Sequence, residues 1–210
     1  MNLSKSESPH PAALRATDLP TLWGGEKADL PTTGEAKAKP ARAMISSQRI
    51  RRRVRELGKQ ISEVYSDIET PLVMIVILKG ATVFAADLLR SLAIPAELEF
   101  VSAASYGSGT SSSGHVRLAH MVEGPLVGRH VLLVEDIIDS GRTVDVIAKR
   151  LRRLGPASLR LAALLDRPAR REVEVKIDFT GFVIPDKFVI GYGLDYAGLY
   201  RELPGIYSLS

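Results

Sequence analysis

Apolar positions along the chain follow two different spacings. Ile50, Val54, Leu57, Ile61, Val64 and Ile68 recur every three or four residues, which predicts an amphipathic helix beginning after Ile45-Ser46, with the serine as its cap. Leu72 to Leu78 is instead an unbroken apolar run, the pattern of a strand buried on both faces, and it stops at Lys79-Gly80. A second helix is expected from about Thr82 to Leu92, and strands at Leu98–Ala103, Val116–Met121, Arg129–Val134 and Ser158–Leu165. Val144, Ile147, Ala148, Leu151 and Leu154 return to helical spacing. Strands alternating with helices predict an α/β fold with a central, mainly parallel sheet flanked by helices.

Before this pattern, Pro9, Pro11, Pro20, Pro31 and Pro40 stand among Ser, Thr, Ala, Lys and Glu, so residues 1–43 read as a flexible extension and 44–210 as one folded domain. The extension lacks the apolar core of a signal peptide, and Glu7, Asp18, Glu26, Asp29 and Glu35 argue against a transit peptide. The chain has 210 residues, 45% of them hydrophobic, enough for one well-buried core. With no cysteine, thiolate catalysis and cysteine metal sites are excluded, and a reducing cytoplasm is the expected compartment. A net charge of +4 suits an anionic substrate without demanding nucleic acid. Arg49, Arg51, Arg52, Arg53 and Arg55 fall mostly off the apolar stripe and read as a solvated helix face. No apolar run is long enough to span a membrane.

Chemistry concentrates in residues 131–143. Val131 to Val134 lead into Glu135 and Asp136, and Asp139 opens the turn Ser140-Gly141-Arg142-Thr143 before the next helix. Such a turn, at a strand's carboxyl end and a helix's amino end, offers unpaired N–H groups and a partial positive charge to a phosphate. Gly141 lets backbone approach an anion, Ser140 and Thr143 add hydroxyls, and Arg142 is expected to add charge. Carboxylates would repel a phosphate, so Glu135 and Asp136 fit only ribose hydroxyls or a divalent cation. A ribose phosphate is the economical ligand. The alternative is that Asp139 or Ser140 merely caps the helix.

The stretch Val-Glu-Asp-Ile-Ile-Asp-Ser-Gly-Arg-Thr resembles the phosphoribosyl-pyrophosphate loop of the type I phosphoribosyltransferases, and its hypoxanthine-guanine branch most closely. Phe182 to Tyr196, followed by Tyr200-Arg201, is similar to that branch's purine-binding hood, placed here at about 166–210. The resemblance spans roughly residues 44–208 and implies the type I phosphoribosyltransferase fold. It implies purine salvage: transfer of 5-phosphoribosyl from phosphoribosyl pyrophosphate to N9 of hypoxanthine or guanine, with Mg²⁺. In this resemblance Lys79 and Gly80 occupy the pyrophosphate loop, where a cis peptide often precedes the lysine. Glu135 and Asp136 would hold the ribose, directly or through the metal. Asp139 to Thr143 would cradle the 5-phosphate, with Asp139 also the general base at purine N7. Phe188 would stack on the purine, the backbone of Val189 would meet its edge, Asp195 would join Glu135 and Asp136 at the metal, and Arg201 would clamp pyrophosphate. Ser105 and Tyr106 open a Gly/Ser tract, 105–115, resembling the family's flexible closing loop.

Leu164-Leu165-Asp166-Arg167-Pro168 departs from the pattern, since the family usually carries lysine where Arg167 stands. That lysine donates to the 6-oxo group, and arginine is a larger, planar donor. Adenine should be rejected, whereas preference among hypoxanthine, guanine and xanthine is open. The competing readings are a xanthine-preferring enzyme and a nucleic-acid-binding regulator on the same fold. The family commonly forms dimers or tetramers, so a homodimer or homotetramer is expected.

Overall fold

The computed structural model describes residues 43–105, 116–120, 122 and 126–208. Helix α1 (Ser47–Val64) starts where Ser46 Oγ accepts from Arg49 N. Its stripe of Ile50, Val54, Leu57 and Ile61 is buried as expected. The two outer positions differ: Val64 is 44% exposed and Ile68 lies beyond the helix. The chain turns at Tyr65, and that ring, 2% exposed, takes the core position instead.

Strand β1 (Leu72–Leu78) and helix α2 (Thr82–Ser91) fall where the apolar run and its sequel put them. They are followed by β2 (Ala96–Ser105), β3 (Val116–His120), β4 (His130–Ile138), helix α3 (Arg142–Arg152), β5 (Ser158–Asp166) and β6 (Phe179–Val183). These form one six-stranded sheet in the order β3-β2-β1-β4-β5-β6, parallel except for β3. The short strands β7 (Val189–Ile190) and β8 (Tyr207–Ser208) pair antiparallel beside it. Helices α1 and α2 cover the face carrying Leu72, Met74, Val76, Leu132 and Val134. Helix α3 covers the face carrying Val73, Ile75, Ile77, Val131 and Leu133.

Strand β4 runs four residues past the expected Val134, because Ile137 and Ile138 continue the ladder with Leu165 and Asp166. Glu135 and Asp136 are therefore inside the strand rather than beyond it. Phe182, expected in the hood, belongs to β6 of the central sheet, where it pairs with Leu165. Strand β1 has β2 on one side and β4 on the other, so the connections diverge between β1 and β4. The crevice at the carboxyl ends of those strands is where such sheets bind ligands.

Candidate active site

Three chain segments meet at that crevice. Strand β1 ends in a cis peptide between Leu78 and Lys79, the feature that the resemblance implied. The exposed Lys79 turns its carbonyl back to accept from Thr82 N at 3.2 Å and Thr82 Oγ1 at 2.7 Å, which starts α2. Gly80 packs so tightly on β4 that a Cβ there would lie 1.6 Å from Asp136 Oδ2. Gly193, at φ +99, closes from the other side, where a Cβ would lie 2.2 Å from Gly80 O.

Asp136 is 8% exposed, and its Oδ1 accepts from Ile137 N at 2.7 Å. Glu135 Oε2 is buried with no hydrogen-bond partner. Burial, then the neighbouring Asp136 charge, holds the Glu135 carboxyl well above its usual range. Burial also raises Asp136, with hydrogen bonds and the Arg201 charge pulling the other way. A carboxyl raised in the folded state stabilises through its proton. That contribution is complete below the ordinary carboxyl pKa and is lost as pH climbs through the raised value. Glu135→Gln should therefore match wild type in melting temperature below about pH 4.5 and melt increasingly above it as pH rises. Parallel melting curves across that range would show that Glu135 ionises normally.

The turn after β4 engages one N–H within itself, Arg142 N donating to Ser140 Oγ at 3.4 Å. Gly141, at φ +82, is the N-cap of α3 and supplies no side-chain cap, so neither Asp139 nor Ser140 takes that role. Its missing Cβ makes room for Val173 O, which would be 2.6 Å away. Ser140 O accepts from Glu172 N at 3.0 Å and Val173 N at 2.9 Å. Arg171 Nε donates to Asp139 O at 2.9 Å, and its guanidinium also pairs with Asp166. The segment 171–173 thus fixes the turn from outside. Arg142 is spoken for: its guanidinium pairs with Glu172, so it adds no free charge to the turn. Thr143 lies in the first turn of α3.

Asp139 and Arg167 form the tightest polar contact of the site. Arg167 is 4% exposed, its Nε donates to Asp139 Oδ1 at 2.5 Å, Nη2 donates to Oδ2, and Nη1 donates to Lys187 O. Phe188, next to Lys187, is 38% exposed and stands edge-on to Tyr196 at 5.6 Å between ring centroids. Val189 is buried in β7. Arg201 donates to Gly193 O and pairs with Asp195 at 2.6 Å, while Asp195 Oδ2 accepts from Gly198 N at 2.8 Å. Asp195 therefore stands with Arg201. Glu135, Asp136 and Asp195 form no metal-holding group of three among the described residues. Tyr106 and the tract at 106–115 lie outside the described residues, as does the extension at 1–42, and of Ser105 only its place at the end of β2 is described.

The arrangement brings together a helix N-terminus, an arginine paired with a carboxylate, a buried carboxyl pair and an exposed aromatic ring. The family model for the phosphoribosyl transferase domain matches residues 43–197. The chain belongs to the phosphoribosyltransferase family. The hypoxanthine phosphoribosyltransferase of Salmonella typhimurium is 46% identical over 161 residues, 77% of this chain and 90% of that protein. The Escherichia coli hypoxanthine phosphoribosyltransferase is 45% identical over 163 residues, 78% of this chain and 92% of that protein. A crystal structure of a hypoxanthine-guanine phosphoribosyltransferase from Bacillus anthracis superposes with a TM-score of 0.74 at 39% identity, covering 82% of this chain and 100% of that one. The expected type I phosphoribosyltransferase fold is thereby established.

Sequence reasoning missed two supports of this phosphoribosyltransferase site. Arg171 was one, and its only signal was a polar cluster after Pro168. The other is Tyr192, which sits at φ +51 between Gly191 and Gly193 and donates its hydroxyl to Asp87 Oδ2 of α2 at 2.6 Å. This bond ties the turn carrying Gly193 to α2, the helix that follows Lys79-Gly80. Burial and the Asp87 charge push the phenol far above its usual range, so it remains a donor at every working pH. Tyr192→Phe should lower stability by about 1.5–3 kcal/mol, the range for a hydrogen bond to a charged group. An unchanged urea midpoint would show that the bond contributes nothing.

Proposed function

We propose that this protein transfers a 5-phosphoribosyl group from phosphoribosyl pyrophosphate to N9 of hypoxanthine or guanine, releasing pyrophosphate and yielding IMP or GMP. The supporting observation is the buried Glu135-Asp136 pair, on which Gly80 packs and from which the chain runs directly into the turn at the N-terminus of α3. Arg167, bonded to Asp139 and to Lys187 O, ties that turn to the residue preceding Phe188.

The proposed roles are these. Backbone N–H groups at the start of α3, with Ser140 and Thr143, bind the 5-phosphate. Lys79, the backbone of Gly80 and Arg201 hold the pyrophosphate, Arg201 being oriented for this by Asp195 and Gly193 O. Glu135 and Asp136 hold the ribose hydroxyls. Phe188 stacks on the purine, and Val189 meets its edge with backbone atoms. Asp139 takes the proton from N7 as the bond to N9 forms. The orphaned, buried Oε2 of Glu135 beside Asp136 is a donor set that fits Mg²⁺, whereas Asp195, engaged by Arg201 and Gly198 N, is not grouped with them. When bound, Mg²⁺ neutralises the leaving pyrophosphate.

One assay tests the reading. Hypoxanthine, guanine, xanthine and adenine, each radiolabelled, are incubated with phosphoribosyl pyrophosphate, Mg²⁺ and the protein. Nucleotide formed from hypoxanthine or guanine, and none from adenine, is the expected result. Product from none of the four, with salt-dependent nucleic-acid binding instead, would replace the enzyme by a regulator. We also propose a cytoplasmic homodimer or homotetramer, which light scattering on the purified chain checks. Among the described residues no helix is long and apolar enough to cross a membrane.

A further inference from the structure

We propose that Asp87 and Tyr192 form a positioning pair for the pyrophosphate subsite: from outside it, they hold the turn that orients Arg201 at a fixed distance from Lys79-Gly80. The proposal deepens the phosphoribosyl transfer above and rests on it. Lys79-Gly80 ends β1 and Arg201 lies in the C-terminal segment, so the local chain does not set their spacing. Helix α2 meets both. It starts directly after the Lys79-Gly80 loop, and in its body Asp87 Oδ2 accepts from the Tyr192 hydroxyl at 2.6 Å. Asp87 Oδ1 is taken by Arg90, one turn further on.

The turn around Tyr192 needs such an anchor. Gly191 at φ +95, Tyr192 at φ +51 and Gly193 at φ +99 are three consecutive left-handed residues. A tyrosine is strained in that conformation and keeps it only where surrounding contacts over-determine it. Tyr192 N donates to Leu203 O at 2.7 Å and Gly193 N to Arg201 O at 3.0 Å, which fixes the turn to the segment after it. Toward α2 the polar fastening is the phenol, on a residue 6% exposed. What the turn delivers is the next residue. Gly193 O accepts from Arg201 Nη1, and Gly193 lies so close to the loop that a Cβ would stand 2.2 Å from Gly80 O. A shift of Tyr192 therefore moves the acceptor of Arg201 and opens the contact with Gly80 together.

The Tyr192 hydroxyl is spent on α2, and Asp87 on Tyr192 and Arg90, so both act through Gly193 and not on the ligand. Their contribution is spacing. A diphosphate held between a backbone loop and a guanidinium satisfies both at one separation, and a misplacement of about 1 Å can cost about a hundredfold. The base subsite has other supports. Phe188 leads into β7, which pairs with β8 through Val189 and Ile190, and Arg167 holds Lys187 O. Losing the Asp87–Tyr192 bond should therefore weaken phosphoribosyl pyrophosphate without weakening the oxopurine.

The test is the pair of Michaelis constants of the full chain with Mg²⁺, each measured with the other substrate saturating and below every variant's melting transition. Tyr192→Phe, which removes only the hydroxyl, should raise KM for phosphoribosyl pyrophosphate by about tenfold and leave KM for hypoxanthine within a factor of about two. Asp87→Ala should do the same, and the double variant should be no worse than either single one. Asp87→Asn keeps an oxygen for the phenol while Arg90, its side chain 72% exposed, turns to water. That variant should stay within a factor of about three of the wild-type KM. Ser62→Ala loses the 2.9 Å bond from Ala93 N and should lower the melting temperature without moving either KM, which controls for stability alone. Should Tyr192→Phe fail to fold, as seen in its melting curve, Asp87→Ala against Asp87→Asn decides. A merely structural bond would leave both constants of the folded variants at wild type or raise them together. Either result, with a wild-type protein that makes nucleotide, overturns the positioning pair and leaves the transfer reading standing. A wild-type protein that makes no nucleotide from any oxopurine overturns both.

Discussion

Replacing Asp139 by asparagine is expected to lower kcat for phosphoribosyl transfer by about two to four decades, the range for a positioned general base. The carboxylate lies at the junction of the proposed phosphate-binding turn and the proposed base subsite, and asparagine cannot take a proton there. The substitution also has a structural cost that must be separated from the chemical one. The introduced amide would turn an NH₂ toward a guanidinium that now donates to both oxygens of Asp139, leaving one buried donor unpaired at about 1–3 kcal/mol. Binding of phosphoribosyl pyrophosphate should nevertheless change little. The turn is held through main-chain atoms, by Arg171 on Asp139 O and by Glu172 and Val173 N–H on Ser140 O. A large fall in kcat with nearly constant KM for phosphoribosyl pyrophosphate is therefore the expected signature. Turnover within a factor of about three of wild type would remove Asp139 from the proton transfer.

Much of this site was legible in the sequence because its parts are local along the chain. The run Leu72–Leu78 and the spacing from Ile50 to Ile61 each encode one element and the face it buries. The Glu135–Thr143 stretch encodes a strand, a turn and a helix start in consecutive residues, and it carries the chemistry with it. What escaped was set by pairs far apart along the chain. Arg167 and Asp139 are 28 residues apart and Tyr192 and Asp87 105 apart, and nothing in their spacing announces the contact. Arg142 reads as a free positive charge until Glu172, brought in by the 171–173 brace, is found to neutralise it. Phe182 reads as hood because its neighbours resemble hood sequence, whereas the ladder with Leu165 places it in the central sheet. Glu135 and Asp136 read as strand-ending residues because carboxylates seldom sit inside a buried ladder. They do so here because Ile137 and Ile138 carry the pairing onward, and the cost appears as the raised Glu135 pKa.

That same immobility makes Gly80→Ala a damaging change in the proposed pyrophosphate loop. A methyl at Gly80 would lie 1.6 Å from Asp136 Oδ2 and 2.6 Å from its Cγ, so one of the two must move. Asp136 cannot shift its backbone, since Glu135 and Ile137 on either side are paired with Ala163 and Leu165. Rotating its side chain breaks the 2.7 Å bond from Ile137 N to Oδ1. Lifting the loop instead drives Gly80 O into Gly193, whose carbonyl receives Arg201. Either escape separates Lys79-Gly80 from the carboxyl pair or displaces the clamp. KM for phosphoribosyl pyrophosphate should rise by about ten- to a hundredfold, or about 1.4–2.8 kcal/mol. Overpacking should lower stability by about 1–3 kcal/mol. KM for hypoxanthine should move far less, since Phe188 and Val189 lie on β7 and its approach, away from the clash. Shortening the partner in a second variant, Gly80→Ala with Asp136→Ser, should recover the melting temperature without recovering the KM, because it relieves the overlap but removes a ribose-holding carboxylate. Wild-type KM for phosphoribosyl pyrophosphate in Gly80→Ala would mean that the loop does not bind the pyrophosphate.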